Sequence, residues 1–188
     1  AAVVRDSLQV IDEEADRLAG MIDNLLDASQ LQAGAMRMNM AEVALDKLVE
    51  RLVEKFKTQS EKHTFQVDFP PDFPVIVGDE GRLTQVVSNL LSNAIKYSPG
   101  GGRIRVAGTV EPAQVVLSVT DEGPGIAPAD LPHVFERFYR ANTDLSKRVK
   151  GAGLGLYLAK AVVEAHGGHI QAASGPGVGT TFSVVLPR

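Results

Sequence analysis

Asn89-Leu-Leu-Ser-Asn93-Ala-Ile-Lys96-Tyr97-Ser98 closes a run in which Leu83, Val86, Val87, Leu90, Leu91, Ala94 and Ile95 recur at three- and four-residue spacing. That period predicts a helix from about Glu80 to Tyr97, stopped by Ser98-Pro99-Gly100-Gly101-Gly102. Asn89, Asn93 and Lys96 stand at i, i+4 and i+7, so two amides and an ammonium share one stripe beside the apolar face. Asparagine competes for backbone groups inside a helix. The stripe therefore reads either as solvated surface or as polar atoms placed for a ligand.

Downstream, Arg103 to Val110 and Gln114 to Thr120 read as a hairpin turning near Glu111-Pro112. Asp121-Glu122-Gly123-Pro124-Gly125-Ile126 follows at once, with the composition of a turn. It also suits a base pocket, where an acid accepts from an exocyclic amine and glycines let a ring approach the backbone. A short amphipathic piece is expected around Phe135, then a connector. From Phe135 to Lys150, Arg137, Arg140, Lys147, Arg148 and Lys150 outnumber Glu136 and Asp144, which reads as a solvated loop or a cationic lid over phosphate. Gly151-Ala152-Gly153-Leu154-Gly155-Leu156 opens a helix running from about Leu154 to Ala165, where free N–H groups favour an anion. A dinucleotide fingerprint fails because Leu156 takes the third-glycine position and no strand precedes the turn, and a P-loop motif is absent. Strands near His169 to Ala173 and Thr180 to Leu186 close the chain.

Upstream, Phe65, Val67 and Phe69 alternate as a strand ended by Pro70-Pro71, and Val75 to Val77 is a brief apolar run. Leu45, Leu48, Leu52, Val53 and Phe56 mark another helix, and Met36, Met38 and Met40 alternate like a strand. Leu8, Ile11, Ala15, Leu18, Ile22 and Leu25 form a heptad-like seam continuing to Leu31 before Gly34. Such a helix reads as half of a bundle or as an ordinary helix packed on its own globular domain, the regular seam favouring the bundle. Strands and helices are mixed without βαβ alternation, so the expected class is α+β, with helices on one face of a mostly antiparallel sheet.

With 188 residues, 44% of them hydrophobic and 22% charged, the chain suits one large domain or one domain plus an appendage. The absence of cysteine excludes disulfides and thiolate zinc sites. A net charge of −4 argues against a nucleic-acid surface. No apolar run is long enough for a membrane helix, and the N-terminus lacks a signal-peptide layout.

Taken in order, the stretches beginning at Asn89, Asp121, Phe135 (Phe-Glu-Arg-Phe-Tyr-Arg), Gly151 and Gly179 (Gly-Thr-Thr-Phe) resemble the N, G1, F, G2 and G3 boxes of bacterial sensor histidine kinases. Arg17-Leu18, Asn24-Leu25-Leu26-Asp27 and Leu31-Gln32-Ala33-Gly34 look like the second helix of that family's dimerisation and histidine-phosphotransfer domain. The resemblance spans nearly the whole chain. It implies a two-layer α/β sandwich of the gyrase, Hsp90, histidine kinase and MutL type over residues 35–188, preceded by a truncated bundle helix over residues 1–34.

The resemblance further implies ATP and Mg²⁺ as cofactors, with Asn93 as the metal-ligating amide and Asn89 supporting the phosphates or a water. Lys96 and Tyr97 would lie near phosphates and nucleoside, and Asp121 would receive the adenine amine beside Gly123, Gly125 and Ile126. Arg140 would reach the γ-phosphate, with Asn89 and Lys96 aiding transfer. Gly151, Gly153, Leu154, Gly155 and Leu156 would form the lid hinge and phosphate bed, with Thr180 completing the nucleotide contacts. Two departures stand out: Ala152 replaces the usual Thr or Ser, and Tyr157 replaces a small residue.

None of His63, His133, His166 and His169 has the family's acceptor context, so all four are expected to be structural. The acceptor is expected on a helix preceding Ala1. The seam from Leu8 to Leu25 is then expected to be partly exposed, or to pack on a neighbour in a non-native dimer. The implied function is transfer of the γ-phosphoryl group to a histidine, for relay to an aspartate on a response regulator receiver domain. Implied with it are a homodimer of the full-length protein through the helical hairpin, no nucleic-acid partner, and a cytoplasmic segment, with membrane anchoring of the full-length protein left open. The rival readings are a non-kinase ATP-binding conformational module and a protein-binding adaptor with a degenerate pocket.

Overall fold

The computed structural model describes residues 11, 15, 18–20, 22–30, 37–149 and 151–188. The chain divides into two units, Ala1–Arg37 and Met38–Arg188. In the first, residues 22–30 are helical, and Leu18, Ile22, Leu25 and Leu26 of the expected seam are exposed. Leu8, Leu31 and the expected stop at Gly34 lie outside the described residues.

The second unit contains β1 (Ala41–Val43), α1 (Leu45–Lys57), β2 (His63–Asp68), β3 (Ile76–Gly78), α2 (Glu80–Lys96), β4 (Gly102–Val110) and β5 (Gln114–Asp121). A 3-10 turn (Leu131–His133) follows, then α3 (Asp144–Arg148), α4 (Gly155–Ala165), β6 (His169–Gly175) and β7 (Gly179–Pro187). Five strands form one sheet in the order β2-β4-β5-β7-β6, while β1 and β3 make a separate antiparallel pair. Only β2 and β4 run parallel; every other pairing of the large sheet is antiparallel.

Register explains why a single face is covered. Val106 lies opposite Val119, Val119 opposite Phe182 and Phe182 opposite Ala172; Leu117, Val184 and Ile170 form the next row. These inward rows are largely buried beneath α1, α2 and α4. The side chains between them point the other way and are mostly polar, Val116 and Val185 excepted: Arg105 pairs with Asp68, and the hydroxyls of Thr120 and Thr181 meet at 2.9 Å. An apolar face under helices and a polar face in solvent is the α+β layer that the alternation predicts.

Helix α2 sits at the centre. Leu83, Val86, Val87, Leu90, Leu91 and Ala94 are buried along its stripe, as the spacing anticipates. Asp79 caps it by accepting from the Arg82 N–H at 2.9 Å, and its other oxygen accepts from the Asn39 N–H at 2.8 Å. Partial burial works to raise the Asp79 pKa, but these backbone donors outweigh it and hold the carboxyl below its usual range. His166 receives the Asp79 N–H on Nε2 at 2.9 Å, and its Nδ1 lies 2.7 Å from the Val162 carbonyl. Nε2 of this buried histidine thus ties the end of α4 to the start of α2, while the contact of Nδ1 within α4 holds the ring in that orientation.

Two local expectations need correction. Met38 and Met40 are not in a strand; β1 starts at Ala41, where pairing with β3 becomes possible and Val43 can be buried against Ile76. Phe135 lies in turns just after the 3-10 turn, and its ring meets Phe182 edge-on at 6.1 Å. The connector contains α3, which its charges hide in a reading by hydrophobic period; Thr143 caps it by accepting from the Ser146 N–H at 3.1 Å.

Candidate functional site

One turn separates Asn89 from Asn93 on α2, and the structure gives them different surroundings. Asn93 lines a cavity of about 360 Å³ whose walls also include Tyr97, Asp121, Gly125, Ile126, Arg140, Leu156 and Thr180. Asn89 faces the start of α4 and donates from Nδ2 to the Gly155 carbonyl at 3.3 Å. It thus ties α2 to the glycine-opened helix. Lys96 ends α2, and its side chain reaches solvent, yet nearby protein strips enough water from the ammonium to lower its pKa.

Asp121 is the last residue of β5 and is only 5% exposed. Opposite Thr180 in the register, its side chain stands on the inward face at the mouth of the helix layer. Burial raises its pKa, against the pull of N–H donors from Gly123, at 2.8 Å to Oδ1, and from Thr180, and against the field of His63. A desolvated acid held by two backbone donors is a fixed acceptor for an amine entering the cavity. The glycine at 125 is required by the fold: φ is +78° there, and a Cβ would stand 1.9 Å from the Gly175 carbonyl oxygen. The loop therefore lies directly on the β6–β7 hairpin, where Ser174 Oγ accepts from the Ile126 N–H at 2.8 Å and lies 2.7 Å from the Gly179 carbonyl.

The stretch expected to form the lid is pinned at its two ends, Phe138 and Gly153. Phe138 has φ of +64°, which bulky residues seldom adopt, and its N–H donates to the Gly153 carbonyl at 2.9 Å. Gly153 mirrors it at φ +71°, where a Cβ would come within 2.8 Å of the Phe138 carbonyl carbon. Arg140 lines the cavity, but its guanidinium is turned onto the lid's own backbone, donating to the carbonyls of Ser146, Val149 and Gly151. The side chain expected at the γ-phosphate is here the clasp of the lid.

Of the other residues read from sequence, Gly123, Gly151, Gly153, Leu154 and Gly155 do not line the cavity. Gly123 serves Asp121, Gly151 accepts from Arg140, and Leu154 is buried in the core ahead of α4. The reading missed Asp130, Tyr139, Thr143, Leu145, Ser146 and Phe182, all of which line the cavity. The tyrosine hydroxyl donates to Asp130 Oδ1 at 2.6 Å. The Phe-Tyr-Arg context of Tyr139 was the available signal.

Among the described residues no cluster of three or more His, Asp or Glu could hold a metal alone. The donor set that fits is a single neutral amide, Asn93, in a cavity large enough for phosphates, as Mg²⁺ accepts when it keeps waters and takes phosphate oxygens.

Residues 78–188 match the family model described as "Histidine kinase-, DNA gyrase B-, and HSP90-like ATPase". The sensor-like histidine kinase SenX3 of Mycobacterium tuberculosis is 38% identical over 93% of this chain and 43% of its own length. The solved mycobacterial sensor histidine kinase MprB is 34% identical and superposes with a TM-score of 0.69, covering 79% of this chain and 97% of that one. Full-length ShkA in complex with AMPPNP superposes with a TM-score of 0.84 at 27% identity, over 97% of this chain and 38% of that one. The chain spans less than half the length of the curated relatives it matches.

Proposed function

We propose, on the premise that this chain belongs to the histidine kinase-, DNA gyrase B- and HSP90-like ATPase family and is the catalytic domain of a sensor histidine kinase, that its cavity binds ATP with Mg²⁺ and delivers the γ-phosphoryl group to a histidine. The observation that carries this is the convergence of Asn93, Asp121 and Thr180, from α2, β5 and β7, on one cavity that Arg140 also lines.

Magnesium bound beside Asn93 would neutralise phosphate charge and orient the chain of phosphates. Asp121 accepts the exocyclic amine of adenine; guanine would present a carbonyl to the same oxygen and leave a buried acceptor unpaired. Tyr97 and Ile126 supply walls for the nucleoside. Arg140 exchanges lid carbonyls for γ-phosphate oxygens, which couples closing of the lid to the presence of the third phosphate. The ammonium of Lys96 adds positive charge near the phosphates. Asn89 acts through Gly155, holding the hinge of the lid against α2. Transfer of this kind rests on positioning and charge, and these residues supply both.

The acceptor is not one of the four histidines in this chain. His63 lies within 2.9 Å of Ser98 and 2.6 Å of Ser60, His166 is buried between Asp79 and Val162, His133 pairs with Glu136, and His169 begins β6. Residues 1–34 fit the second helix of a dimerisation hairpin, residues 35–188 the nucleotide-binding domain, and a receiver aspartate the onward partner. The test is incubation of the chain with γ-labelled ATP and Mg²⁺, with and without a separately supplied histidine-bearing hairpin from a sensor kinase. Label on the hairpin and none on the chain is expected. Nucleotide binding without transfer would favour a conformational module, and no binding would overturn both readings.

A further inference from the structure

An acidic side chain in the wall of a site for a polyanion is a liability unless something occupies it. Asp130, at the foot of the 3-10 turn, is such a residue, for it lines the same cavity as Asn93 and Arg140. Tyr139 also lines that cavity and donates its hydroxyl to Asp130 Oδ1 at 2.6 Å, the short distance of a charge-assisted bond.

The tyrosine is itself anchored on three sides. Its ring lies 5.4 Å from that of His133, its N–H donates to the Glu136 carbonyl at 3.3 Å, and a Cβ on Gly153 would come within 2.9 Å of its carbonyl oxygen. The next residue is Arg140, the clasp of the lid. Tyr139 thus joins the loop that follows Gly125 to the root of the lid, both ends of the bond lining the cavity.

We infer that Tyr139 is a positioning residue whose hydroxyl engages the Asp130 carboxylate and fastens it to the lid root, so that its charge, which the bond does not neutralise, cannot turn toward bound phosphates. The bonded carboxylate holds the phenol above its usual pKa, so the hydroxyl remains a donor throughout the neutral range. Removing that one oxygen leaves the carboxylate in the wall with no partner from the lid. A triphosphate then meets like charge, whereas a nucleoside does not.

This inference rests on the reading of the cavity as an ATP site, and the test separates the two. Affinities of ATP and adenosine are measured by calorimetry for the chain and for its Y139F, D130N and Y139F/D130N variants, at low and high salt. Y139F is expected to weaken ATP by about tenfold at low salt, the scale of one like-charge contact at intermediate effective dielectric. Adenosine should change by less than about threefold, added salt should narrow the ATP gap, and Asp130→Asn in the same chain should restore most of the loss. Unchanged ATP affinity in Y139F, equal losses for ATP and adenosine, or no recovery in the double variant would each overturn the inference while leaving the ATP site standing. Failure of the unaltered chain to bind ATP would sink the site reading first. Thermal melting of Y139F separates a loss of fold from a loss of charge control, since only the former would be insensitive to Asp130→Asn.

Discussion

Asp121→Asn separates the function of this site from its stability, because the same burial acts on both in opposite directions. The carboxylate is 5% exposed and accepts N–H donors from Gly123 and Thr180, and an amide of the same shape keeps an oxygen for those donors. What it cannot keep is a second acceptor for an incoming amine; its NH₂ would face the adenine NH₂. An unmade hydrogen bond of this kind costs about 1–3 kcal/mol, or roughly 5- to 150-fold in affinity for ATP. Stability should respond the other way. Burial raises the folded pKa of Asp121 above the unfolded value of 3.8, so the folded state holds its proton more tightly. Its contribution therefore weakens as pH rises from the unfolded pKa through the folded one, and stays at its lowest above that. Asparagine does not titrate, so the variant should gain stability relative to the parent between acid and neutral pH. Calorimetric titration with ATP and urea unfolding across that range measure both. Unchanged ATP affinity would refute the role given to Asp121, and a stability difference independent of pH would refute its desolvation.

Gly125→Ala should destabilise the fold by about 2–4 kcal/mol in urea unfolding, since a methyl group there collides with the Gly175 carbonyl at a positive φ. His166→Leu should cost about 1–3 kcal/mol by leaving the Asp79 N–H unpaired, since the Val162 carbonyl keeps the backbone N–H of residue 166, while phosphoryl transfer to an added hairpin survives below the new melting point. Arg140→Ala removes the donor to the carbonyls of Ser146, Val149 and Gly151, so limited proteolysis should cut the lid faster even without nucleotide, and transfer should fall by about 100-fold or more.

Much of the layer structure is legible in the residues alone, for reasons particular to each element. Helix α2 declares itself through a full apolar stripe from Leu83 to Ala94, and the inward rows of β4 and β5 through strict alternation. Helix α3 is hidden because five residues give no period, although Thr143 three positions before Ser146 carries a capping signal. The alternation of the methionines misleads, since pairing with β3 decides where β1 begins and hydrophobicity does not. At the site, Asn93 and Asp121 line one cavity. The true environment of Asn89, the clasp made by Arg140 and the bond from Tyr139 to Asp130 depend on contacts between distant segments, which no local pattern encodes.

The most direct test of the account is titration of ATP into the chain and into its Asn93→Ala variant, each with Mg²⁺ and with a chelator, using GTP as a competitor. Saturable one-to-one binding is expected, strengthened by Mg²⁺ in the parent but not in the variant, with GTP competing weakly. Equal affinities for the two nucleotides, or a magnesium effect that survives loss of the Asn93 amide, would contradict it.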